Sequence, residues 1–274
     1  AKIRMAGLVG NIDLSNNIKC GNSLMGTDYF SNMLFYDDAL WNEIKPFDWT
    51  KEFPKVFQNG GFDIVIGNPP YGIKFNKIEK EYFIKKYLST RTILNKQKGS
   101  FDSFSLFIEL GFKLLKKDGM LIFIVPISIT SSESMTALHN ILEQNCKLIK
   151  ISSHETSQQQ IFNNAVVDTS IIFFNKTMTP SEQILSTKIY KKNQYDDLSV
   201  LFNNLHFIDV KDYKLFGRYP KISENIEINI LSKLFSINTK ISDFLKNNGK
   251  YLYYRSAGGP FKIITNYSTG STSE

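Results

Sequence analysis

The sequence predicts an α/β fold built on a mostly parallel β-sheet. Its 274 residues, of which 42% are hydrophobic and 14% aromatic, are enough to bury a sizeable core. Short apolar runs that are typical of strands alternate with longer segments of helical periodicity, an order that favours strand–helix–strand units. No apolar run approaches about 18 residues, so we expect no membrane span.

The first half of the chain begins with a short predicted strand over 18–24, which stops at a Gly-polar turn. Residues 28–59 are predicted to be irregular or helical, with aromatic side chains as apolar anchors. A buried strand is predicted over 63–67 because a continuous apolar run ends there in glycine. The basic stretch over 76–98 contains a helical patch of aromatic residues, namely Tyr82, Phe83 and Tyr87.

The second half alternates helices and strands more regularly. Apolar residues at helical spacing predict a helix over 104–115, and we expect Gly119 to end it, with Lys116 and Lys117 in its last turn. A strand is predicted over 120–125, a helix over 133–143, and further strands over 148–152 and 166–174. The composition becomes polar near 177–182, and this change predicts a domain boundary, with a main domain over 1–178 and a smaller α+β region over 179–274.

The most informative feature is the turn that follows the predicted strand over 63–67. It reads Asn68-Pro69-Pro70-Tyr71. Each proline holds φ near about −65° and donates no N–H, so the carbonyl oxygens around them are free to accept. Asn68 adds an amide oxygen, and Tyr71 adds a flat aromatic face. Together they could accept both hydrogens of an exocyclic amine and localise its lone pair for attack on a methyl group. The turn therefore predicts an amino-methyltransferase; the structural alternative is a Pro-rich loop closing a strand.

Positive charge is concentrated in two segments. Residues 74–98 carry eight Lys or Arg against two Glu, and residues 186–274 carry thirteen basic against eight acidic side chains, within a net charge of +7. This distribution predicts a polyanionic partner, unless it is only a Lys-rich surface. Lys85, Lys86 and Arg91 are candidates for phosphate contacts. We expect their segment to be a mobile lid that, without DNA, is poorly ordered or held only by its apolar side chains.

Cysteine and histidine usage indicates no metal chemistry. Cys20 and Cys146 are isolated thiols without metal-ligand spacing, and this usage suits a reducing cytoplasm. The three histidines are scattered along the sequence and are expected to be ordinary core or surface residues.

Several motifs occur in a fixed order. They are Gly21-Asn22-Ser23-Leu24, the Asn68-Pro69-Pro70-Tyr71 turn, Asp102-Ser103-Phe104 with Phe107-Ile108-Glu109, the strand from Gly119 to Pro126, Ile161-Phe162-Asn163-Asn164-Ala165-Val166-Val167, and Tyr253-Tyr254-Arg255 with Gly258-Gly259-Pro260-Phe261. With these motifs in this order, the chain resembles adenine-specific (N6) DNA methyltransferases of restriction-modification systems. The resemblance is greatest to the type II enzymes with fused methylation and specificity parts.

The resemblance implies a partial sheet of the S-adenosylmethionine-dependent methyltransferase type over 1–178, followed by a linker and the start of a DNA target-recognition domain over 179–274. It implies S-adenosylmethionine as cofactor and double-stranded DNA as substrate, with a fused or separate restriction endonuclease as a possible partner. The implied catalytic residues are Asn68, Pro69, Pro70 and Tyr71. The implied cofactor-binding residues are Asn22, Leu24, Asn68 and Asp102.

Base flipping is part of this implied mechanism, because the target atom is inaccessible inside a base stack. The resemblance implies that Tyr71 and Phe162 stack on the flipped-out adenine and that Arg255 contacts a base or a phosphate. Two of the implied roles have structural alternatives. Phe162 could be a core aromatic, and Asp102 could be the N-terminal cap of the helix that follows it.

One expected motif is not identifiable. The family has a Gly-rich turn upstream of the position of Asn22, whereas residues 6–10 carry two glycines at another spacing. We expect the chain to be an internal fragment of a longer protein and to be inactive alone, unless the cofactor site is degenerate.

Two other classes of function stay open. Methylation of protein glutamine or of RNA uses the same Asn-Pro-Pro-Tyr turn, although about one hundred residues follow Phe174, more than a compact domain of that kind predicts. A non-catalytic DNA-recognition module could keep the fold without a working cofactor site.

Overall fold

The computed structural model describes residues 16–31, 33, 35, 38–94, 96–155, 167–191, 197–214, 218–237, 251–253 and 262–264. The chain divides into two compact units, residues 1–224 and residues 225–274. No helix in the described ranges is both long enough and apolar enough to cross a membrane.

The described part of the first unit contains both helices and strands. They are α1 (Asp38–Ile44), α2 (Trp49–Glu52), α3 (Pro54–Gln58), β1 (Phe62–Gly67), α4 (Lys77–Lys86), α5 (Ser103–Leu114), β2 (Leu115–Pro126), α6 (Thr136–Asn145), β3 (Cys146–His154), β4 (Thr169–Lys176), β5 (Gln183–Tyr190), α7 (Leu198–Asn203) and β6 (Ile208–Asp209). In the second unit, helix α8 (Asn225–Phe235) precedes two antiparallel strands, β7 (Tyr251–Tyr253) and β8 (Lys262–Ile264).

The six strands of the first unit form one sheet in the order β1-β2-β4-β3-β5-β6. β1 is parallel to β2 and β3 is parallel to β5, whereas β4 lies between β2 and β3 and is antiparallel to both. β6 is antiparallel to β5. Four of the six strands therefore run in the same direction, which confirms the predicted α/β class with a mostly parallel sheet.

Helix α5 connects β1 to β2 and packs on the sheet. Its apolar face is fully buried at Leu106 and Ile108. Gly111 lets the helix approach the sheet closely, because an added Cβ would overlap the side chain of Leu121 on β2. This tight packing places the first residue of α5 at the carboxyl end of β1, where ligands of open α/β sheets bind.

The end of α5 differs from the prediction. The helix stops at Leu114, and the residues up to Gly119 belong to β2, so Gly119 does not close a helix. Leu115 is 1% exposed and pairs with Phe62 of β1. The Lys116 ammonium lies 2.5 Å from the Asp63 carboxylate. Pairing with β1 therefore outweighs the local signal of a glycine after two lysines.

β1 forms where it was predicted, but it is not buried on both faces. It is an edge strand among the described residues, and the side chains of Ile64 and Ile66 are 52% and 75% exposed. The strand predicted over 18–24 is also corrected. That segment forms a turn with one isolated parallel bridge, between Asn22 and Pro46.

The predicted domain boundary after residue 178 falls inside the first unit. β5 begins only five residues later and pairs with β3 in the same sheet. The polar stretch between β4 and β5 is a tight turn held by hydrogen bonds, in which Ser181 Oγ donates to the Cys146 carbonyl at 2.6 Å and Ser181 N donates to the Glu143 carbonyl at 2.7 Å. Its polar composition reflects this turn chemistry, not a linker.

Candidate functional site

The Asn68–Tyr71 turn leaves the carboxyl end of β1, as the sequence predicts. Asn68 is exposed, Pro69 is buried, and Tyr71 is partly buried. The Tyr71 hydroxyl donates a hydrogen bond of 2.6 Å to Asn68 Oδ1. Burial raises the pKa of Tyr71, so its hydroxyl stays protonated and can donate at neutral pH. The turn thus holds its amide and its aromatic ring together.

The turn is also tied to the start of α5. Ser103 Oγ donates to the Pro70 carbonyl oxygen at 2.5 Å. Within the described ranges the Pro69 carbonyl accepts no hydrogen bond. Two acceptors are therefore available at the turn, the Pro69 carbonyl and the Asn68 amide oxygen, which has a second lone pair beside the one that faces Tyr71.

A cavity of about 270 Å³ lies beside the turn. It is lined by Ser23, Trp49, Val65, Ile66, Gly67, Asn68, Pro69, Pro70, Phe107, Leu110, Gly111, Leu114 and Phe123. Most of these walls are apolar, and Ser23 and Asn68 supply polar groups. Such a lining suits a flat heteroaromatic ring that needs a few directed hydrogen bonds.

The loop that contains Asn22 supplies one wall of this cavity through Ser23. Asn22 Oδ1 accepts a hydrogen bond from Leu24 N at 3.1 Å, and Trp49 Nε1 donates to the Ser23 carbonyl at 3.2 Å. The structure therefore brings the predicted cofactor residue Asn22 close to the cavity. Trp49, which the sequence analysis treated only as an apolar anchor, turns out to fix this loop.

Leu24 does not contribute its side chain to the cavity. It is 4% exposed and belongs to a core cluster with Tyr82, Phe83 and Leu106. Its backbone carbonyl accepts a hydrogen bond of 2.9 Å from Tyr87 Oη. The structure gives the Leu24 side chain a packing role, and the cofactor contact of Leu24 stays a prediction.

Asp102 occupies the N-cap position of α5, but its carboxylate does not cap the helix. It accepts a hydrogen bond of 2.9 Å from Ser100 Oγ and is otherwise exposed. Asp102 therefore has the position of a cap residue, as the alternative interpretation predicts, but its side chain makes no capping hydrogen bond. Its exposed carboxylate at the carboxyl edge of the sheet is compatible with the predicted cofactor contact.

The basic segment is held by polar contacts as well as by apolar side chains, which corrects the prediction of a lid held by apolar side chains alone. Helix α4 begins with a capping box between Asn76 and Glu79. Asp28 accepts hydrogen bonds from Tyr82 Oη and from Lys86 Nζ, each at 2.8 Å. Burial opposes ionisation of Asp28, yet these two donors lower its pKa overall, so the carboxylate is charged.

Glu109 has a structural role that its place in the Phe107-Ile108-Glu109 motif did not predict. Its carboxylate is 1% exposed and accepts hydrogen bonds from Leu88 N at 2.9 Å and Ser89 N at 2.7 Å. The Lys113 ammonium lies 2.7 Å from the same carboxylate and forms an ion pair with it. The sequence does place this glutamate on the apolar face of a predicted helix. A charged residue there indicates buried hydrogen-bond partners, because an unpaired buried charge is costly.

The candidate phosphate contacts differ in their surroundings. Lys85, Lys86 and Arg91 are all exposed, and Lys86 in addition forms the ion pair with Asp28 at 2.8 Å. Phe162 and Arg255, the predicted stacking and DNA-contacting residues, lie outside the described residues. Three groups of predicted site residues do lie close together in the structure. They are the Asn68–Tyr71 turn, the loop that contains Asn22, and Asp102 at the start of α5.

Comparison with known proteins gives consistent matches. A family model described as the Eco57I restriction-modification methylase matches residues 4–162. The type II restriction enzyme and methyltransferase RM.Eco57I of Escherichia coli is 31% identical over 187 residues, 65% of this chain. RM.MjaORFECS2P of Methanocaldococcus jannaschii is 30% identical over 215 residues, 77% of this chain. The chain spans only 16% of the length of each of these two proteins.

Among solved structures, the cryo-EM structure of the DrdV–DNA complex is similar, with a TM-score of 0.53 and 17% sequence identity. The likeness covers 78% of this chain and 22% of that one. At this level of identity the similarity shows a shared fold.

Proposed function

The chain belongs to the Eco57I restriction-modification methylase family, and we propose that it is part of a site-specific DNA methyltransferase that methylates N6 of adenine. The single observation that carries this proposal is the turn at the carboxyl end of β1. It offers an amide oxygen on Asn68 and the carbonyl of Pro69 as two neighbouring acceptors. An exocyclic NH₂ group presents two hydrogens that match such a pair.

These acceptors would act on the amine of the substrate base. Hydrogen bonds from the amine to Asn68 Oδ1 and to the Pro69 carbonyl would favour a tetrahedral nitrogen and localise its lone pair for attack. The ring of Tyr71 would stack on the base and hold it against the turn. The residues therefore bind and orient a neutral amine, and the proposed reaction needs no covalent enzyme intermediate.

We propose that S-adenosylmethionine binds at the largely apolar cavity beside the turn, where it would supply an electrophilic methyl group. Pro69 and Phe107 would provide apolar walls for its adenine ring, and Ser23 and Asn68 are the polar groups in the same lining. Asn22 adjoins Ser23, and Asp102 is exposed at the start of α5. We propose both as further polar contacts to the cofactor.

Double-stranded DNA is the proposed substrate. Its adenine would have to be flipped out of the stack to reach Asn68, and Phe162 is proposed to stack on the base from the side opposite Tyr71. The basic segment over 74–98 and the region over 186–274, including Arg255, would contact the phosphates and read the sequence. A restriction endonuclease, fused to the same protein or separate, is the proposed partner.

The substrate class is tested by offering the full-length parent protein three acceptors, namely duplex DNA, RNA and a glutamine-containing protein extract, with isotope-labelled S-adenosylmethionine. The proposal predicts label in DNA alone, found as N6-methyladenine when the DNA is digested and measured by mass spectrometry. Label in RNA or protein instead would support the rival methyltransferase classes. Absence of label in all three would support a non-catalytic recognition module.

A further inference from the structure

Ser103 makes an unusual contact for a serine in the first turn of a helix. It is the first residue of α5 and is 0% exposed. Its hydroxyl lies 2.5 Å from the Pro70 carbonyl oxygen, 33 residues away in sequence. Because a carbonyl oxygen can only accept, the serine hydroxyl must be the donor.

Two residues later, Ser105 provides an internal comparison. It is also 0% exposed and lies in the same helix, but its hydroxyl has no hydrogen-bond partner among the described residues. Burial of a serine hydroxyl in α5 therefore does not by itself produce a contact with the Asn68–Tyr71 turn. The bond from Ser103 joins this turn to the helix at one defined point.

The contact falls at ψ of Pro70, one of the two backbone torsions that the two prolines leave free. The ring of Pro70 fixes its φ, and the peptide bond to Tyr71 is planar, so ψ of Pro70 sets the orientation of that peptide plane and the direction in which the backbone enters Tyr71. The direction of the Pro70 carbonyl is set by the same ψ. A hydrogen bond from Ser103 to this carbonyl thus restrains the backbone position of Tyr71 relative to Asn68.

We propose that Ser103 is a positioning residue for methyl transfer. Ser103 is not among the residues that line the cavity, so it would act through the turn and not on the amine or the cofactor directly. By holding the Pro70 carbonyl, it keeps the stacking ring of Tyr71 in register with the acceptors on Asn68 and Pro69. The inference rests on the function proposed above, because it concerns the geometry of the same turn.

Loss of this bond changes the rate of the chemical step more than the affinity for either substrate. A misplacement of about 1 Å in an active site can lower a rate by about 100-fold. Ser103→Ala in the full-length parent protein is therefore expected to lower the single-turnover methylation rate by about 10- to 100-fold. The dissociation constants for DNA and for S-adenosylmethionine are expected to stay close to the wild-type values.

The matched control is Ser105→Ala, which removes a buried hydroxyl from the same helix and is expected to leave the rate unchanged. Ser103→Cys keeps a side chain of similar shape with a weak S–H donor, so its rate is expected to lie between those of wild type and Ser103→Ala. If circular dichroism shows that Ser103→Ala does not fold, the rate of Ser103→Cys is used for the test instead.

Several outcomes would overturn the inference. A wild-type rate in folded Ser103→Ala, an equal loss in Ser105→Ala, or a loss confined to substrate affinity would each assign Ser103 a packing role only. These outcomes leave the proposed function intact, because the wild-type protein still methylates DNA. A wild-type protein that methylates no DNA at all would instead overturn the proposed function, and the positioning role with it.

Discussion

The Tyr71 hydroxyl donates a 2.6 Å hydrogen bond to the same Asn68 oxygen that is proposed to receive the amine of the base. The resting turn thus fills one lone pair of that oxygen internally. A bound base would share the oxygen with Tyr71 or displace its hydroxyl, while the aromatic ring would stay in place for stacking.

This relationship predicts different effects for two changes at Tyr71. Tyr71→Phe keeps the ring and removes the competing donor, so methylation is expected to stay at or above the wild-type rate. Tyr71→Ala removes the stacking surface, which is worth about 1–3 kcal/mol per base, and is expected to lower kcat/KM by about 5- to 150-fold. Steady-state kinetics on a DNA substrate measures both. Equal losses in the two variants would show that the hydroxyl itself is needed.

The buried Glu109 predicts a large effect on stability. Glu109→Ala leaves two backbone N–H groups without their acceptor, and each buried donor left unpaired costs about 1–3 kcal/mol. Lys113 keeps the Lys86 carbonyl as an acceptor and is 38% exposed, so its loss of Glu109 adds little. The free energy of unfolding in urea measures the loss. Glu81→Ala is the control, since Glu81 is 61% exposed in its pair with Lys77 and should change stability by about 0.5 kcal/mol or less. Similar values for the two variants would contradict the structural role of Glu109.

Two buried histidines predict a pH dependence of stability. Burial lowers the pKa of His139 and of His154 to about 4, below the ordinary value of 6.5. Between pH 6.5 and pH 4 the unfolded chain binds more protons than the folded one. The stability that depends on the two neutral histidines is therefore fully present above pH 6.5 and is lost as the pH falls through this window. Calorimetric unfolding from pH 7.5 to pH 4 measures the decline.

The contribution of His139 can be separated by substitution. Its Nε2 pairs with the Ile129 carbonyl at 2.8 Å, and its ring stacks on Tyr219. His139→Gln keeps a possible donor but does not titrate, so the variant is expected to lose less stability on acidification than the wild type does. An unchanged pH dependence in His139→Gln would contradict the assigned pKa.

The basic segment predicts a salt-dependent affinity for DNA. Replacing Lys85, Lys86 and Arg91 with Ala should weaken binding to all sequences alike and flatten the dependence of log K on log salt, by about 0.9 per lost phosphate contact. Because Lys86 already pairs with Asp28, we expect a loss of about two contacts. Binding isotherms at several salt concentrations provide the measurement.

The control for this change removes the same charge from the opposite edge of the sheet. Lys55, Lys117 and Lys147 lie near the amino ends of β1, β2 and β3, and Lys147 has an ion-pair partner in Glu182, as Lys86 has in Asp28. Their replacement with Ala should leave the salt slope close to that of the wild type. Equal slopes in both triple variants would mean that the segment over 74–98 is only a solvated surface.

Local signals in the sequence were sufficient to predict β1, the turn after it and helix α5. An apolar run, two prolines and a 3.6-residue period are properties of neighbouring residues. The placement of β5 beside β3 could not be predicted in this way, because the turn that precedes it has the same polar composition as a linker. Only the pairing of β5 with β3 distinguishes a turn within one sheet from a linker between two domains.

Contacts between distant residues define the parts of the site that the sequence did not reveal. The bond from Ser103 to Pro70 and the bonds from Leu88 and Ser89 to Glu109 join segments 20 to 33 residues apart. A buried glutamate signals that it needs partners but does not say which backbone groups supply them. The fold sets these pairings by packing α5 against the Asn68–Tyr71 turn and against the segment over 88–89.

The central claim is that the Asn68 amide accepts the amine that is methylated. The most direct test compares Asn68→Ala with Asn59→Ala in the full-length parent protein. Asn59 is also an exposed asparagine, but it precedes β1 at the other end of the strand. We predict that Asn68→Ala abolishes N6-methyladenine formation while its affinity for DNA is unchanged, and that Asn59→Ala methylates as the wild type does. Methylation by Asn68→Ala at a rate near that of the wild type would contradict the claim.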